Sequence, residues 1–425
     1  MHNENDITVD QRFYAPLKEA FQACATSRVC PRYSDLDHAL CGIGRVVHNV
    51  ESGRDWIQQA DFELGLNVGV SKFFDALKSP RRAEALSSLA DKLAAMVARR
   101  ANPSSDPFAD CEELKGFAIY ATDGHTIAAS AHEDEIMGKV RPHTHIFSLN
   151  LRHHSMKHLQ LCSPDVGKKK EHEIKTLKRI PARAMRMGES KGTKVIHCYD
   201  PAIVDYRLWT NWKQSQGVYI ITLEKSNSAL ELVSEKRWDA SDPRNNGVIF
   251  DDVAISRSGY SIRRVSYCDP VTLKRYVFLT TEMTLPPGII AFLYKLRWDV
   301  EKFYDQSKNK FGERKGWGKS EVSKTQQALF IAIAHNLCMI FERLIEKEEE
   351  IVDRKSILKR AVRRAEEKRI AQDNGNAFNA MVDSCNRITQ RSFQFIRWLR
   401  SSLRSSASWR PAIDYLRPLM LKYIS

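Results

Sequence analysis

Four polar side chains recur at helical spacing in the stretch FLYKLRWDVEKFYDQSKNKFG, and their types could act on a phosphate backbone. They are Tyr294, Arg297, Glu301 and Lys308. Steps of three, four and seven residues keep the side chains within roughly 60° of one another on a helix that turns by ~100° per residue. Arginine and lysine neutralise phosphates, and a carboxylate can hold a hard metal ion. Taken alone, the pattern also fits a solvated, salt-bridged helix face.

Two more carboxylates stand where predicted strands end. Asp123 closes GFAIYATD, and Asp200 closes KVIHCYD. Groups at the carboxyl ends of strands in an α/β sheet converge on the ligand crevice, although a lone Asp at such a place is more often a turn or cap residue. Three converging carboxylates repel one another unless divalent cations lie between them. Two such ions ~3.5–4 Å apart can clamp the attacking and leaving oxygens of a phosphodiester. Asp123, Asp200 and Glu301, hereafter the acidic trio, therefore predict a two-metal phosphoryl-transfer site.

The elements that must position these residues alternate between strand and helix. Between about residues 110 and 225, short apolar runs alternate with amphipathic segments, which indicates an α/β layer structure. Residues 226–283 show only strand alternation and turn clusters, so a β-rich block interrupts the α/β part. After Pro286-Pro287 the pattern is helical, and its last part is rich in Arg and Lys. We predict a first core part at 109–225, a β-rich insertion at 226–285, a second core part with the Glu301 helix at 286–345, and a basic helical region at 346–425 that is a candidate for dimerisation.

Residues 1–108 are predicted to be a helical domain that binds DNA ends. Ser79 followed by Pro80 predicts the start of a helix with apolar positions at Leu86 and Leu89. A short predicted helix over 71–77 follows a Gly-containing turn near several Lys and Arg residues, so this region is either a helix-turn-helix reader or a plain helical bundle. The segment ANPSSDPFAD that follows, residues 101–110, predicts a linker.

Composition restricts the partners and the location. The 425 residues carry 66 Lys and Arg against 52 Asp and Glu, a net charge of +14 with a pI near 9.3. This excess favours a polyanion, with nucleic acid first and an anionic membrane second, although a solubility charge would look the same. No apolar run reaches ~18 residues, and the N-terminus does not read as a secretory signal. We expect no membrane partner and a cytoplasmic protein.

The nine cysteines are scattered without a framework, which predicts free thiols in a reducing compartment. Cys24, Cys30 and Cys41 lie near His38 and His48 in the sequence. Their spacings match no zinc pattern, so buried structural thiols are the expected explanation.

The spacing Tyr-x2-Arg-x3-Glu-x6-Lys at 294–308 resembles, without a gap, the signature of insertion-sequence transposases of the family-four type. Asp123 lies in ATDGHTI, which is similar to the first-aspartate segment of that family. Asp200 lies in HCYDPAIVDYRLWTNWKQSQGVYIITLEK, which looks like the second-aspartate segment, a strand and Asp followed by a helix and a strand. The third acidic residue of the family maps onto Glu301. The resemblance covers about residues 110–345, and the four-residue signature is its most specific part.

This resemblance implies a ribonuclease H-like catalytic core, interrupted by a β-rich insertion, in an enzyme acting on double-stranded DNA. It implies Mg²⁺-dependent cleavage at transposon ends, with Mn²⁺ as a substitute, and transfer of the 3′-hydroxyls to target DNA by a homodimer in the bacterial nucleoid. The acidic trio would be the metal ligands, and Tyr294, Arg297 and Lys308 would grip phosphates. Trp298 either stacks on an unpaired base or belongs to the core, and we expect the core.

Some features depart from the family or have rivals. Pro201-Ala202 follow Asp200, whereas many relatives have Arg-Gly there, so no role of that arginine carries over. Asp205 is a rival for the second ligand, and Asp299 and Glu313 are rivals for Glu301. His125 either supports the site from behind Asp123 or is a turn residue, and we expect the turn. Lys168-Lys169-Lys170 either forms a solvated loop that enters a helix or contacts DNA, and we expect the loop. The alternative functions are a DNA-binding repressor or domesticated copy without catalysis, and a ribonuclease H-like nuclease that joins nothing.

Overall fold

The structure is a computed structural model that describes residues 7–24, 32–101, 106–109, 111–135, 138–162, 171–269, 273–311, 314–351 and 394–424. The helices are α1 (Val9–Gln22), α2 (Asp35–His48), α3 (Gly53–Leu64), α4 (Val70–Ala76), α5 (Pro80–Arg99), α6 (Glu173–Arg179), α7 (Tyr206–Gln216), α8 (Pro287–Lys295), α9 (Asp299–Asn309), α10 (Glu321–Glu348) and α11 (Trp409–Ile424). The strands are β1 (Phe117–Ile127), β2 (His143–Asn150), β3 (Met156–Cys162), β4 (Lys194–Cys198), β5 (Val218–Leu223), β6 (Leu230–Glu235), β7 (Val248–Ser256), β8 (Ser261–Cys268) and β9 (Arg275–Thr280). Short 3-10 turns include Pro243–Asn245 and Leu296–Trp298, and residues 394–404 are also helical.

Within the described residues, one nine-stranded sheet has the strand order β3-β2-β1-β4-β5-β9-β8-β7-β6. β1, β4 and β5 pair in parallel, and the other neighbours pair antiparallel. The predicted mixed α/β class is confirmed. The β-rich block does not form a separate layer, because β9 pairs with β5 and extends the same sheet. The ribonuclease H-like identity of the core stays a prediction.

Helices cover both faces of this sheet. Helices α1–α5 and α8–α10 build the larger core on one face, together with Ile119 and Ala121 of β1 and Cys198 of β4. Helices α6 and α7 cover the other face, where Tyr120 and Val195 lie. Since side chains alternate across a strand, Asp123 shares a face with Ile119 and Ala121. The site therefore faces α8, α9 and α10.

The N-terminal helices pack around α10 in one continuous hydrophobic cluster with the sheet. Leu86 and Leu89 are buried there as the helical spacing predicted, and the predicted short helix is α4, whose Phe73 is buried. Among the described helices, α10 is long and apolar enough to cross a membrane by length and composition alone, but its apolar window is 89% buried inside the protein. The DNA-reading role of these helices stays a prediction. The cysteines that the structure describes form no disulfide; Cys30 lies outside the described residues.

Residues 106–109, the described part of the predicted linker except for Ala101, are docked on the core. Phe108 is buried against Phe292, with ring centroids 5.9 Å apart. Arg152 donates a hydrogen bond to Asp106 at 2.6 Å. Most of the predicted C-terminal region lies outside the described residues. Its described end contacts the core, where Trp398 stacks on Phe341 of α10 at 6.4 Å.

The β-rich block is attached to the site helices at Gly288, in the first turn of α8. The backbone N–H of Gly288 donates to the Oδ1 atom of Asn245 at 2.9 Å. A Cβ atom at Gly288 would lie 1.8 Å from the carbonyl oxygen of Arg244. Only a residue without a side chain permits this close approach of the two backbones.

We expect Gly288→Ala to lower the free energy of unfolding by ~1–3 kcal/mol, because the added methyl forces the two backbones apart. Urea unfolding of the full chain measures the loss. Gly192→Ala is the matched control, since a Cβ atom there would meet nothing within 4 Å. Equal stability of the two variants would contradict the prediction.

Candidate active site

Asp123 lies inside β1 and not at its end. The Asp-Gly pair predicted that the strand stops there, but β1 continues to Ile127 because β2 pairs with it over that length. β4, in contrast, pairs with β1 only as far as Ala121, opposite Cys198. Asp123 therefore lies just past the end of the parallel ladder, where the crevice opens. Its side chain is 17% exposed.

Asp200 lies two residues after Cys198, the last residue of β4. In the same way, Asp123 lies two residues after Ala121, the last residue of β1 that pairs with β4. The two aspartates thus leave adjacent parallel strands at the same level. The Oδ1 atom of Asp200 accepts a hydrogen bond from the backbone N–H of Ala202 at 2.8 Å, which holds the turn after the strand. The negative charge of Asp200 contributes to raising the pKa of Asp123, so the two carboxylates are within electrostatic range.

The segment with the four-residue spacing is helical but interrupted. Helix α8 ends at Lys295, a 3-10 turn spans Leu296–Trp298, and α9 begins at Asp299. The prediction of one continuous helix face is therefore wrong in detail. Tyr294 on α8, Arg297 in the turn and Glu301 on α9 still come together. Lys308 is exposed in the last turn of α9, about 10 Å along the axis from Glu301 at 1.5 Å per residue.

Arg297 is the centre of the cluster. Its Nη1 atom donates to Oδ2 of Asp123 at 2.9 Å, and Nη2 donates to Oε1 of Glu301 at 3.4 Å. The guanidinium lies 5.6 Å from the ring centroid of Tyr294. Burial disfavours its charge, but Tyr294 and the acidic trio together raise its pKa above the usual range. Its Nε atom is buried without a hydrogen-bond partner among the described residues.

Burial raises the pKa of Asp123 to about 6, although Arg297 and the backbone N–H of Gly124 act in the opposite direction. Burial likewise raises the pKa of Tyr294 to about 12. Perturbed carboxyls in a crevice are typical of functional sites. Asp123 therefore holds its proton more tightly than a solvent-exposed aspartic acid does.

The donor set of the acidic trio suits a hard divalent ion, since all three side chains offer carboxylate oxygens. As arranged, however, no group of three His, Cys, Asp or Glu side chains among the described residues is close enough to hold a metal ion. The reason is visible at Arg297, which lies between Asp123 and Glu301 and pairs with both. The guanidinium of Arg297 thus places a positive charge between these two carboxylates.

Trp298 is 56% exposed, so the expectation that it belongs to the core is wrong. Its ring centroid lies 5.4 Å from the guanidinium carbon of Arg297. An exposed indole next to the acidic trio is available to a ligand. Its stacking on a base stays a prediction.

The rival carboxylates are placed as follows. Asp205 caps α7, where it accepts from the backbone N–H of Leu208 at 2.9 Å and pairs with Lys178 at 2.6 Å. It is thus used as a cap and not as a member of the site. Glu313 and the lysine run 168–170 lie outside the described residues, and the side chain of Asp299 is not described.

Tyr304 lies at the candidate site and was missed by sequence reasoning, whereas His125 was noted there and interpreted as a turn residue. The turn explanation for His125 is wrong, because it lies within β1 and is buried. Its ring stacks on Tyr304 with centroids 4.6 Å apart and planes 18° apart. The hydroxyl of Tyr304 donates to the carbonyl oxygen of Asp123 at 2.6 Å. The only sequence signal was alternation, since residues 123 and 125 of a strand share a face.

A fourth carboxylate lies on the other side of β1. A Cβ atom at Gly124 would lie 2.3 Å from the Oε1 atom of Glu173, at the start of α6. The charge of Glu173 contributes to raising the pKa of Asp123. The Asp123-Gly124 pair in the sequence thus reflects close approach of this side chain and not a turn.

Comparison with known families points to one class. The family model described as transposase DDE domain matches residues 154–337, less than half of the chain. The matched span includes Asp200 and the whole segment from Tyr294 to Lys308, and it begins after Asp123. This match supports a DDE transposase, an enzyme class that acts on DNA and generally uses divalent metal ions.

No curated protein matches the chain. Among solved structures, one titled as an Argonaute of Aquifex aeolicus aligns with 13% identity over 43% of this chain and 24% of that chain. The chain thus spans about a quarter of the length of that protein. The TM-score is 0.22, which is too low to indicate a shared fold.

Proposed function

We propose that this chain is a cut-and-paste transposase of the family-four insertion-sequence type. It binds the terminal inverted repeats as a dimer, cleaves the DNA strands there and transfers the 3′-hydroxyl ends to target DNA. The observation that carries the proposal is the convergence of Asp123, Glu301 and Arg297, with Asp200 within electrostatic range. Asp123 and Glu301 are 178 positions apart in the chain, and Arg297 and Glu301 belong to the segment that resembles the four-residue signature.

The acidic trio would hold two Mg²⁺ ions, which supply Lewis-acid stabilisation of the charge on the attacking and leaving oxygens. The guanidinium of Arg297 would donate charge-assisted hydrogen bonds to a phosphate at this point. Tyr294 packs beside the guanidinium and orients it. Trp298 offers an exposed ring for an unpaired base, and Lys308 extends the positive charge along α9.

The proposal is tested on a plasmid that carries the gene together with its own flanking DNA. Purified protein and Mg²⁺ should nick this DNA at the borders of inverted repeats, and pre-cut ends should be joined to a second plasmid. A gel shift without nicking in Mg²⁺ or Mn²⁺ would instead indicate a DNA-binding protein without catalysis. Nicking without joining would indicate a nuclease.

We expect metal use to depend on pH through Asp123. Burial raises its pKa to about 6, and a metal ion must displace that proton. The Mg²⁺ concentration for half-maximal cleavage should therefore rise by up to ~10-fold per pH unit as the pH falls below about 6. Gel shifts over the same range control for DNA binding. A flat Mg²⁺ requirement between pH 7 and 5, about a unit to either side of that value, would contradict the prediction.

The same raised pKa has a consequence for the metal-free protein. The folded state binds this proton more tightly than the unfolded chain, in which the pKa is 3.8. The free energy of unfolding therefore contains a contribution from Asp123 that is present at low pH and is lost as the pH rises from about 4 to 6. Asp123→Asn should remove that part of the pH dependence.

A further inference from the structure

Tyr304 joins the helix of Glu301 to the strand of Asp123. It lies three residues after Glu301, so the two side chains are neighbours on the surface of α9. Its hydroxyl donates to the backbone carbonyl of Asp123 at 2.6 Å. Apart from the side chain of Arg297, this hydrogen bond is a second link between two of the three acidic residues, and it does not involve their carboxylates.

The bond occurs where β1 has lost a neighbour. The parallel ladder with β4 ends at Ala121, while β2 continues to pair with β1 through Asp123. Beyond the end of a ladder, strand backbone needs another partner for its polar groups. The hydroxyl of Tyr304 is this partner for the backbone carbonyl of Asp123, whose side chain belongs to the acidic trio.

The ring of Tyr304 packs against two other rings. Its centroid is 4.6 Å from that of His125 in a stacked arrangement, and Phe147 of β2 lies at 6.3 Å. The preceding residue, Phe303, contacts Phe147 at 5.6 Å and His335 of α10 at 5.1 Å. The hydroxyl of Tyr304 is therefore carried by a ring whose position is fixed by packing against neighbouring rings.

We propose that Tyr304 is a positioning residue for the acidic trio, with His125 as the ring that supports it. It acts through the backbone of Asp123 and sets the separation between the Asp123 and Glu301 carboxylates, and hence how tightly divalent ions are held. The inference rests on the proposed function, because it assumes that these carboxylates bind the ions. Positioning errors of ~1 Å at such a site cost on the order of 100-fold in rate.

The test is Tyr304→Phe in the full chain, which keeps the ring and its stacking and removes only the hydroxyl. With DNA ends bound, the Mg²⁺ concentration for half-maximal cleavage should rise ~10-fold, and excess Mg²⁺ should restore most of the rate. Affinity for the DNA ends should not change. Electron paramagnetic resonance of Mn²⁺ on the complex with pre-cut DNA ends, in the absence of target DNA, should show the same loss of affinity in a state that can neither cleave nor join. His125→Ala, which removes the ring that stacks on Tyr304, should show the same loss of Mn²⁺ affinity as Tyr304→Phe.

Tyr14→Phe is the matched control. Tyr14 is buried on α1, and its hydroxyl has no partner among the described residues. It should leave metal affinity unchanged. If Tyr304→Phe binds Mn²⁺ as the wild type does, or loses thermal stability alone, the positioning role is overturned. If the wild type neither cleaves nor joins DNA but Tyr304→Phe still weakens Mn²⁺ binding, the proposed reaction fails and the positioning role is supported.

Discussion

Asp123→Asn, Asp200→Asn and Glu301→Gln should each lower the rate of end cleavage by ~1,000-fold or more while binding to the DNA ends is retained. Each change keeps the size of the side chain and removes the charge that holds a divalent ion. Metal ions supply several kcal/mol of stabilisation to the charged transition state of such a displacement, and each 1.36 kcal/mol corresponds to a factor of ten in rate. Cleavage of the flanking-DNA plasmid and gel shifts on the same preparations measure the two quantities.

Asp205→Asn separates the trio from its nearest rival. Asp205 caps α7 through Leu208, and asparagine caps helices about equally well, so this variant should cleave as the wild type does. A variant of the trio that retains cleavage would remove that residue from the site. Loss of cleavage in Asp205→Asn with an intact fold would assign the second ligand to Asp205.

Strand-end and helix-spacing rules predicted part of the surroundings of the site. Asp200 was predicted from an apolar run that closes on a carboxylate, and β4 does end two residues before it. Arg297 and Glu301 were predicted to share a surface from their four-residue step, and one hydrogen bond connects them. Such local rules hold because strand alternation and helical rotation are properties of the backbone.

The features that escaped prediction depend on tertiary contacts. The bond from Tyr304 to Asp123 joins residues 181 positions apart, and no local pattern encodes it. The Asp123-Gly124 pair was interpreted as a turn, because a glycine that makes room for Glu173 has the same sequence signature as one that turns the chain. The break at Leu296–Trp298 turns Trp298 outward, which periodicity alone could not predict.

The guanidinium of Arg297 would compete with a divalent ion for the carboxylates of Asp123 and Glu301. It pairs with Asp123 and Glu301, and like charges repel, so a divalent ion at the same carboxylates must displace it or bind weakly. A DNA phosphate would offer the guanidinium an alternative partner for charge-assisted hydrogen bonds. DNA binding would then free the carboxylates, so DNA and metal should strengthen each other's binding by the same factor.

Arg297→Gln should therefore have opposite effects on two quantities. Affinity for Mn²⁺ in the absence of DNA should rise ~10-fold, because the competing charge is gone. Cleavage should fall by ~100-fold or more, because a positioned donor to the phosphate is lost. In the wild type, a short duplex of the DNA end should increase Mn²⁺ affinity, and in the variant this coupling should disappear. Calorimetric titration of Mn²⁺ into the wild type and into Arg297→Gln, each with and without the duplex, measures these affinities.

Arg263→Gln controls for the loss of a buried ion pair. Arg263 bonds Asp251 through two nitrogens at 2.7 Å on the β-rich block, so this change should destabilise the fold as much as Arg297→Gln or more. It should leave Mn²⁺ affinity as it is in the wild type, because Asp251 is not one of the site carboxylates. If Arg297→Gln also left Mn²⁺ affinity unchanged, the guanidinium would not be competing with the metal ion. Binding of a divalent ion by all three carboxylates would then require movement of the strands or of α9, since displacement of the Arg297 side chain alone would not be enough.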